Sequence, residues 1–470
     1  MTPDLKSGGH GVFVLVVVES FLLLVALHLC VLAEPWLVTL HSQNSATIGN
    51  ASAAEFITFA VIGMLSLFAM GLYNPRLREH SRGVLRRIGL AMILTFGLLA
   101  ALSTVFPALT PSPSRFLSAT LLAIGLLGLF RMLSPKIPGL GAFRRRILVL
   151  GAGQRASIIE KRMRRKVDRR NFFVCGYIPM QGDKENEISD QLYVDSKTPL
   201  VEYIAKHNID EIIVACDERR QQLPVRELFE CKLRGVEITD ILSFIERETG
   251  QIAVNLIYPS WMIYSNGFKP ADNLRSQLDW ILNTSLALLL VFFCWPLMIG
   301  TALAIWLEDG RRGGSILYRQ ERIGLGGHPF NIIKFRSMRS DAETNGAQWA
   351  KKDDDRVTKV GEIIRKYRLD ELPQLINVLK GEMGFVGPRP ERPEFVDKLA
   401  EKLPYYSERH SVKPGLTGWA QLCYPYGASE EDALEKLKYD LYYVKHRSFL
   451  LDIFIFIQTV EVVLFKKGAR

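Results

Sequence analysis

Five long apolar runs constrain this chain more than any other feature, because roughly 20 apolar residues are what a helix needs to cross a bilayer. They cover residues 12–32, 56–72, 88–106, 116–133 and 280–307. Arg76, Arg78, Arg82, Arg86 and Arg87 stand between the second and third runs. Residues 33–52 hold no Lys or Arg, and Lys136, Arg144, Arg145 and Arg146 follow the fourth run. Cationic connections stay in the cytosol. The pattern predicts a four-helix transmembrane anchor over residues 1–134 with both ends cytosolic. A cleavable signal peptide is the competing reading of the first run, which is too long and too thinly flanked by basic residues for one. Glu19 within it is either a functional intramembrane acid or a residue facing the helix bundle.

Composition narrows the partners. The formal charge of +10 fits anchoring at anionic lipid or an anionic substrate. No basic run with interleaved aromatics stands apart from the apolar segments, so nucleic acid is not an expected partner. None of the 6 cysteines forms a C-x-x-C pair, which predicts reduced thiols without a disulfide framework or zinc site.

After a Pro/Gly linker at residues 135–141, the sequence RILVLGAGQRA reads as a strand, a glycine turn and a helix start. It resembles the first unit of a Rossmann fold, with Gly151, Gly153 and Ala156 at the fingerprint positions. Further strands are expected at 172–178 and 211–215, and helices at 200–206 and 225–233. Together they predict a small Rossmann-like α/β domain with a parallel sheet over residues 135–265. The second strand ends at Ile178-Pro179, where a ribose-binding acid would stand. The turn therefore marks either a cofactor site or a structural or regulatory domain.

The fifth run contains Pro296. If it crossed the bilayer, Arg311, Arg312, Arg319 and Arg322 just beyond it would lie outside the cell, against the charge rule. Proline removes a backbone donor and bends a helix. We expect a re-entrant helix over residues 280–307 that bends near Pro296; an ordinary kinked span is the alternative. Residues 449–465 are apolar but carry Asp452, Gln458 and Glu461, and read as an interfacial or core helix.

Residues 365–389 read RKYRLDELPQLINVLKGEMGFVGPR. The acids Asp370 and Glu371 stand at a loop-to-helix junction, before Pro373 and the apolar positions Leu375, Ile376 and Leu379. Arginines flank them. Such a junction suits a nucleotide diphosphate, which needs cations and N–H groups for its oxygens and a carboxylate to hold a metal or attack phosphorus. Taken alone, Asp370 is explained as a helix N-cap and Glu371 as a complement to the helix dipole.

The surrounding motifs make the pair specific. YRQERIG begins at Tyr318, KFRSM at Lys334 and KPGLTGWAQ at Lys413, with LDELPQLINVLKGEM and VGPRP between the last two. From about Asp279 onward the series resembles the bacterial sugar transferase family, the phosphoglycosyl transferases that start glycan assembly on a polyprenyl phosphate. The anchor plus α/β domain is similar to the family's long form. The tail, CYPYGAS and EKLKYDLYYVKH, is similar to a branch associated with exopolysaccharide synthesis.

The resemblance implies a membrane α plus α/β protein whose residues 266–470 form the catalytic domain, facing the cytosol at the bacterial inner membrane. It implies transfer of a sugar 1-phosphate from a UDP-sugar, with UDP-glucose or UDP-galactose the family-level expectation, to polyprenyl phosphate with release of UMP. Asp370 would be the nucleophile and Glu371 its partner, both helping to hold Mg²⁺. Arg365 and Arg389 would bind phosphate, with Lys334 and Arg336 as further candidates. Arg368 and Gly384-Phe385 depart from the usual pattern and bear on substrate preference. Membrane lipid is a partner, and a homodimer through the α/β domain is expected.

Two other readings compete. A membrane-anchored nucleotide-sugar dehydratase needs a Tyr-x-x-x-Lys pair; Tyr193 and Lys197 have the spacing but follow the glycine turn too closely. A non-enzymatic nucleotide-binding scaffold leaves KFRSM and LDELPQ unexplained.

Overall fold

In a computed structural model the described residues are 9–41, 52–73, 81–110, 112–133, 145–163, 169, 172–183, 188, 193–194, 199–218, 223–257, 259–268, 273–308, 314–339, 355–424, 427 and 429–465. Arg76, Arg78, Lys136, Arg144, Lys197, Arg311, Arg312 and the linker at 135–141 lie outside them. Contacts divide the chain into two compact units, Met1–Phe244 and Ile245–Arg470. Residues 245–265 thus group with the second unit.

The first unit opens with four apolar helices: α1 (Gly9–His41), α2 (Ala53–Ala69), α3 (Ser81–Val105) and α4 (Pro113–Leu133). Helices α1 and α3 each pack on both α2 and α4. Three of the four are long and apolar enough to cross a membrane, and α2, at 17 residues, is shorter. Together they are a membrane anchor. Phe21, Ile57, Ile93 and Leu121 face outward, where lipid rather than water removes the cost of exposing them. Polar signals set the ends. Ser52 and Glu55 form a capping box at the start of α2, and Arg87 donates to the carbonyl of Met70 just past its end (2.8 Å). Glu19 faces the bundle interior. Its carboxylate is buried and accepts from Tyr73 and from Arg131 of α4, so it is a paired structural group.

An α/β region follows: β1 (Arg145–Leu150), α5 (Gln154–Arg162), β2 (Phe172–Ile178), α6 (Leu200–His207), β3 (Glu211–Val214), α7 (Val225–Leu233), β4 (Glu237–Asp240) and α8 (Ile241–Thr249), which runs on into the second unit. The sheet is parallel, in the order β2-β1-β3-β4. Strands β1 and β3 are nearly continuous apolar runs and are buried, as expected for a parallel sheet covered on both faces.

The second unit continues with α9 (Pro259–Tyr264) and α10 (Asn273–Glu308). Helix α10 runs through Pro296. Its first half is fixed to the unit by Asn283, which accepts from the Phe385 N–H (2.7 Å), and by Asp279, which pairs with Arg447 (2.6 Å). Its far end is fixed by Glu308, which accepts from the N–H groups of Lys359 (2.9 Å) and Val360 (3.2 Å). Phe292, Phe293, Trp295 and Leu297 between these anchors are exposed.

The rest comprises a hairpin of β5 (Leu317–Ile323) and β6 (Pro329–Phe335), then α11 (Lys359–Lys366), α12 (Leu375–Leu379), β7 (Gly384–Val386), α13 (Pro393–Lys402), β8 (Gly415–Thr417), α14 (Trp419–Cys423), α15 (Glu430–His446) and α16 (Phe449–Phe465). Strands β7 and β8 pair in parallel. Ala287 of α10, Ile332 of β6, Leu375 and Val378 of α12, and Phe385 of β7 share one core. The candidate chemistry is assembled around that core.

Candidate active site

The turn between α11 and α12 is clamped from several sides. Thr358 caps α11 by accepting from the Gly361 N–H (2.9 Å). Gly361 itself has no room for a side chain, because a Cβ there would lie 2.0 Å from the carbonyl oxygen of Ser337. With the hydrogen bond from Thr358 N to that same oxygen (3.1 Å), this close approach laces the KFRSM segment to the start of α11.

After α11, Arg368 turns the backbone left-handed (φ 57°, ψ 21°). Residues Leu369–Gln374 then form a 3-10 turn that contains Pro373, and α12 begins only at Leu375. Asp370 and Glu371 lie in that turn. Neither helix start carries a side-chain cap, so Asp370 is not an N-cap.

Glu371 is the hub. Its Oε1 accepts from Arg389 Nη2 (2.8 Å), and Lys334 Nζ and Arg368 Nη1 stand 3.6 Å away. Burial alone would raise this carboxyl, but Arg389, Lys334 and Arg368 outweigh it and hold it well below the ordinary range. Asp370 takes the other role. Burial first, and the neighbouring Glu371 second, push its carboxyl up to about 6. Its Oδ1 is buried without a hydrogen-bond partner, and so is Nε2 of Gln374 in the same turn. Burial also lowers Lys334 to about 8, against the pull of Glu371. Three cations around two carboxylates leave a surplus of positive charge, and one carboxylate oxygen unengaged. Such a site can grip a diphosphate and present an oxygen to phosphorus.

Lys334 and Arg389 are each held by their own support. Lys334 is carried by β6. Buried Asn377 of α12 accepts from the Ile333 N–H (3.0 Å) and donates to the Asn331 carbonyl (2.8 Å) and to Glu382 (2.6 Å). Arg389 follows β7, where a Cβ on Gly387 would lie 2.3 Å from the Lys413 carbonyl oxygen. The Arg389 carbonyl accepts from Arg409 Nη2 (2.9 Å), and Arg409 is buried against Asp440 (2.8 Å).

The sequence singles out more cations than the turn gathers. Arg389 and Lys334 join Glu371. Arg365 is half-buried in the last turn of α11 and pairs with neither carboxylate. Arg336 is buried with its guanidinium against Gly314, since a Cβ there would lie 2.2 Å from its nitrogens. Arg368, marked in the sequence only as a departure, takes the third place on Glu371. Its spacing of three residues from Glu371 was the available signal. Asn377, a lone amide in an apolar helical run, was the other. Among the described residues no cluster of three or more His, Cys, Asp or Glu forms a metal site.

The glycine turn after β1 is built differently. Gly151 has φ +115° and its N–H donates to the Ile178 carbonyl (2.8 Å). A Cβ on Gly153 would lie 2.2 Å from Asp217 Oδ2. The Asp217 carboxylate accepts from the N–H groups of Gln154 and Arg155 (both 3.0 Å), and Asp183 accepts from Ala152 N (2.8 Å), Met180 N (2.9 Å) and Asp217 N (3.2 Å). Ala156 is buried on α5. The donors a pyrophosphate would use are engaged by the protein's own carboxylates.

Known proteins match the sequence of the second unit. The family model for bacterial sugar transferases matches residues 274–466. The chain is 38% identical over 245 residues to the UDP-N-acetylgalactosamine-undecaprenyl-phosphate N-acetylgalactosaminephosphotransferase of Aeromonas hydrophila, covering 52% of this chain and 56% of that protein. It is 32% identical to the UDP-glucose:undecaprenyl-phosphate glucose-1-phosphate transferase of Xanthomonas campestris pv. campestris, covering 57% of this chain and 56% of that protein. The like-named protein of Caulobacter vibrioides is 40% identical over 186 residues, 39% of this chain and 68% of that one. The chain thus spans little more than half the length of the first two relatives.

Proposed function

Because this chain belongs to the bacterial sugar transferase family, we propose that it moves a sugar 1-phosphate from a UDP-sugar to polyprenyl phosphate and releases UMP. The observation that carries this reading is Glu371 beneath three cations, with a free, buried Asp370 oxygen beside it. Arg389, Lys334 and Arg368 hold the diphosphate. The ionised Asp370 oxygen bonds to the sugar-linked phosphorus. The bond from that phosphorus to the bridging oxygen breaks, and UMP leaves with the bridging oxygen and the electron pair. Polyprenyl phosphate then attacks the phosphosugar-aspartate, which restores the carboxylate.

Mg²⁺ fits this donor set. Magnesium takes one or two carboxylates together with substrate phosphates and water, and Glu371 with the Asp370 oxygen that does not attack would supply the protein's share. When bound it supplies neutralisation of phosphate charge.

The second unit holds α10 near both ends, which supports a re-entrant helix that bends near Pro296 and leaves on the face it entered. Asp370 and its cations then work at the cytosolic headgroup plane of the bacterial inner membrane, where lipid phosphate and soluble nucleotide meet. The Rossmann-like domain at residues 135–265 serves a structural role and pairs two copies of the chain. The product feeds exopolysaccharide assembly.

The test is UMP release from UDP-glucose, UDP-galactose and their N-acetylated analogues, with Mg²⁺ and polyprenyl phosphate. Quenching mid-turnover should leave a sugar phosphate on the peptide containing Asp370. Product formation without that adduct overturns the mechanism, and no UMP release from any donor overturns the function. Labelling of a residue near Arg470 from the periplasmic side would overturn the re-entrant helix.

A further inference from the structure

Helix α11 carries an outer face that neither its own packing nor the reaction above accounts for. The inner face is ordinary core: Ile364 is buried with Ile305 of α10 and Phe335 of β6, and Val360 lies against them. The opposite side of a helix in water is polar. Here Ile363 is 56% exposed, and Tyr367, one turn on at the helix end, is 52% exposed. Lys359 and Lys366 are exposed four and three residues from Ile363, on the same side. The Lys366 ammonium stands 5.9 Å from the centre of the Tyr367 ring. The acid of this helix, Glu362, is turned about 100° away from Ile363. The face therefore joins two large apolar side chains to two cations.

Its two ends point to what covers it. The helix begins beside α10, which is long and apolar enough to cross a membrane. Leu303, Trp306 and Leu307 of α10 are exposed, and the next residue, Glu308, accepts from the first two N–H groups of α11. The far end leads to the candidate site. Arg368 follows Tyr367 directly, is half exposed, and stands 3.6 Å from Glu371. Asp370 lies three residues beyond Tyr367, at most roughly 11 Å of chain. The path thus runs from exposed hydrocarbon, through apolar and cationic side chains, to the carboxylate pair. A lipid phosphate has the same order of groups. A bulk phospholipid would satisfy the start of this path, but only the acceptor needs its phosphate beside Asp370.

We propose that the outer face of α11 is the docking track of the acceptor. Ile363 and Tyr367 lie against the first isoprene units of polyprenyl phosphate, and Lys366 receives its phosphate. Arg368, relieved of the diphosphate once UMP has left, draws that phosphate to the turn. This rests on the function proposed above and adds the contact that brings the second substrate to the phosphosugar-aspartate.

The two halves of the reaction can be measured apart. In nanodiscs of neutral lipid, the full chain with an active UDP-sugar and no acceptor should release a single burst of UMP. Adding undecaprenyl phosphate should start turnover. Ile363→Gln and Tyr367→Ser, both at exposed positions, should leave the burst within about twofold of wild type and raise KM for undecaprenyl phosphate roughly fivefold or more. Lys366→Met should raise the same KM about threefold. An unchanged KM in variants that keep the burst would overturn the track and leave the reaction standing. Loss of the burst would make the face part of the donor site or its scaffold, and would overturn the track as well. A defect that added anionic phospholipid relieves at fixed acceptor would make the face a contact for bulk lipid and equally overturn it. A wild type that releases no UMP with or without acceptor would remove the reaction and the track together.

Discussion

The turn after β1 and the turn before α12 both look like places for a phosphate, and they differ in who supplies the negative charge. After β1, Asp217 and Asp183 accept from the backbone N–H groups at the start of α5. The positive end of that helix is neutralised from within. Before α12, three cations face two carboxylates, and Asp370 keeps an oxygen with no partner. A closed charge balance marks a structural turn, whereas an open one leaves charge for a ligand to meet.

That contrast can be attacked at several points. Asp370→Asn should have the largest effect, lowering UMP release at least 10³-fold, because it removes the proposed nucleophile. The same variant should melt higher at pH 7. The folded carboxyl is raised to about 6, so its stabilising contribution is complete below the unfolded value and is lost as pH rises through 6. Removing it should return on the order of 2 kcal/mol at neutral pH and nothing below about pH 4. A lower melting temperature at pH 7 would mean the open balance is misread.

Arg389→Lys comes next. It keeps the charge and loses the planar fork, so turnover should fall roughly 10²-fold. Rates within threefold of wild type would show that Arg389 supplies charge alone. A pH–rate profile should then be bell-shaped. Activity should drop about tenfold per unit below pH 6, where Asp370 takes a proton, and again above pH 8, where Lys334 loses one. A flat profile from pH 5 to 9 would contradict both assignments. The smallest effect belongs to the closed turn. Asp217→Asn should leave UMP release unchanged and cost about 1 kcal/mol of stability, the usual price of a lost helix cap. A loss of turnover there would tie the α/β domain to the chemistry.

Local pattern carried much of this fold. The four apolar helices, the strands β1, β2 and β3, and helices α6 and α7 all follow from periodicity and turn residues. The Asp370–Glu371 pair was legible from its motif, but its setting was not. A helix start was the natural reading of Asp-Glu before an apolar run. Arg368 in the left-handed region and Pro373 inside the turn make it a 3-10 turn instead, which frees both carboxylates from capping. Arg365 matched the pattern and stands aside, while Arg368 took its place on Glu371. Asp183 and Asp217 could not be foreseen, because they lie 31 and 63 residues from the N–H groups they accept from. Contacts of that range are decided by the sheet and leave no local spacing to read.

Asn377 joins the strand that carries Lys334 to the short helix that follows Glu371. An amide with both ends committed in a dry core behaves as a rivet: the hairpin and the turn move as one body or not at all. The spacing between ammonium and carboxylate is therefore set during folding, before any nucleotide arrives. On the proposed reaction, a donor would meet cations already in place.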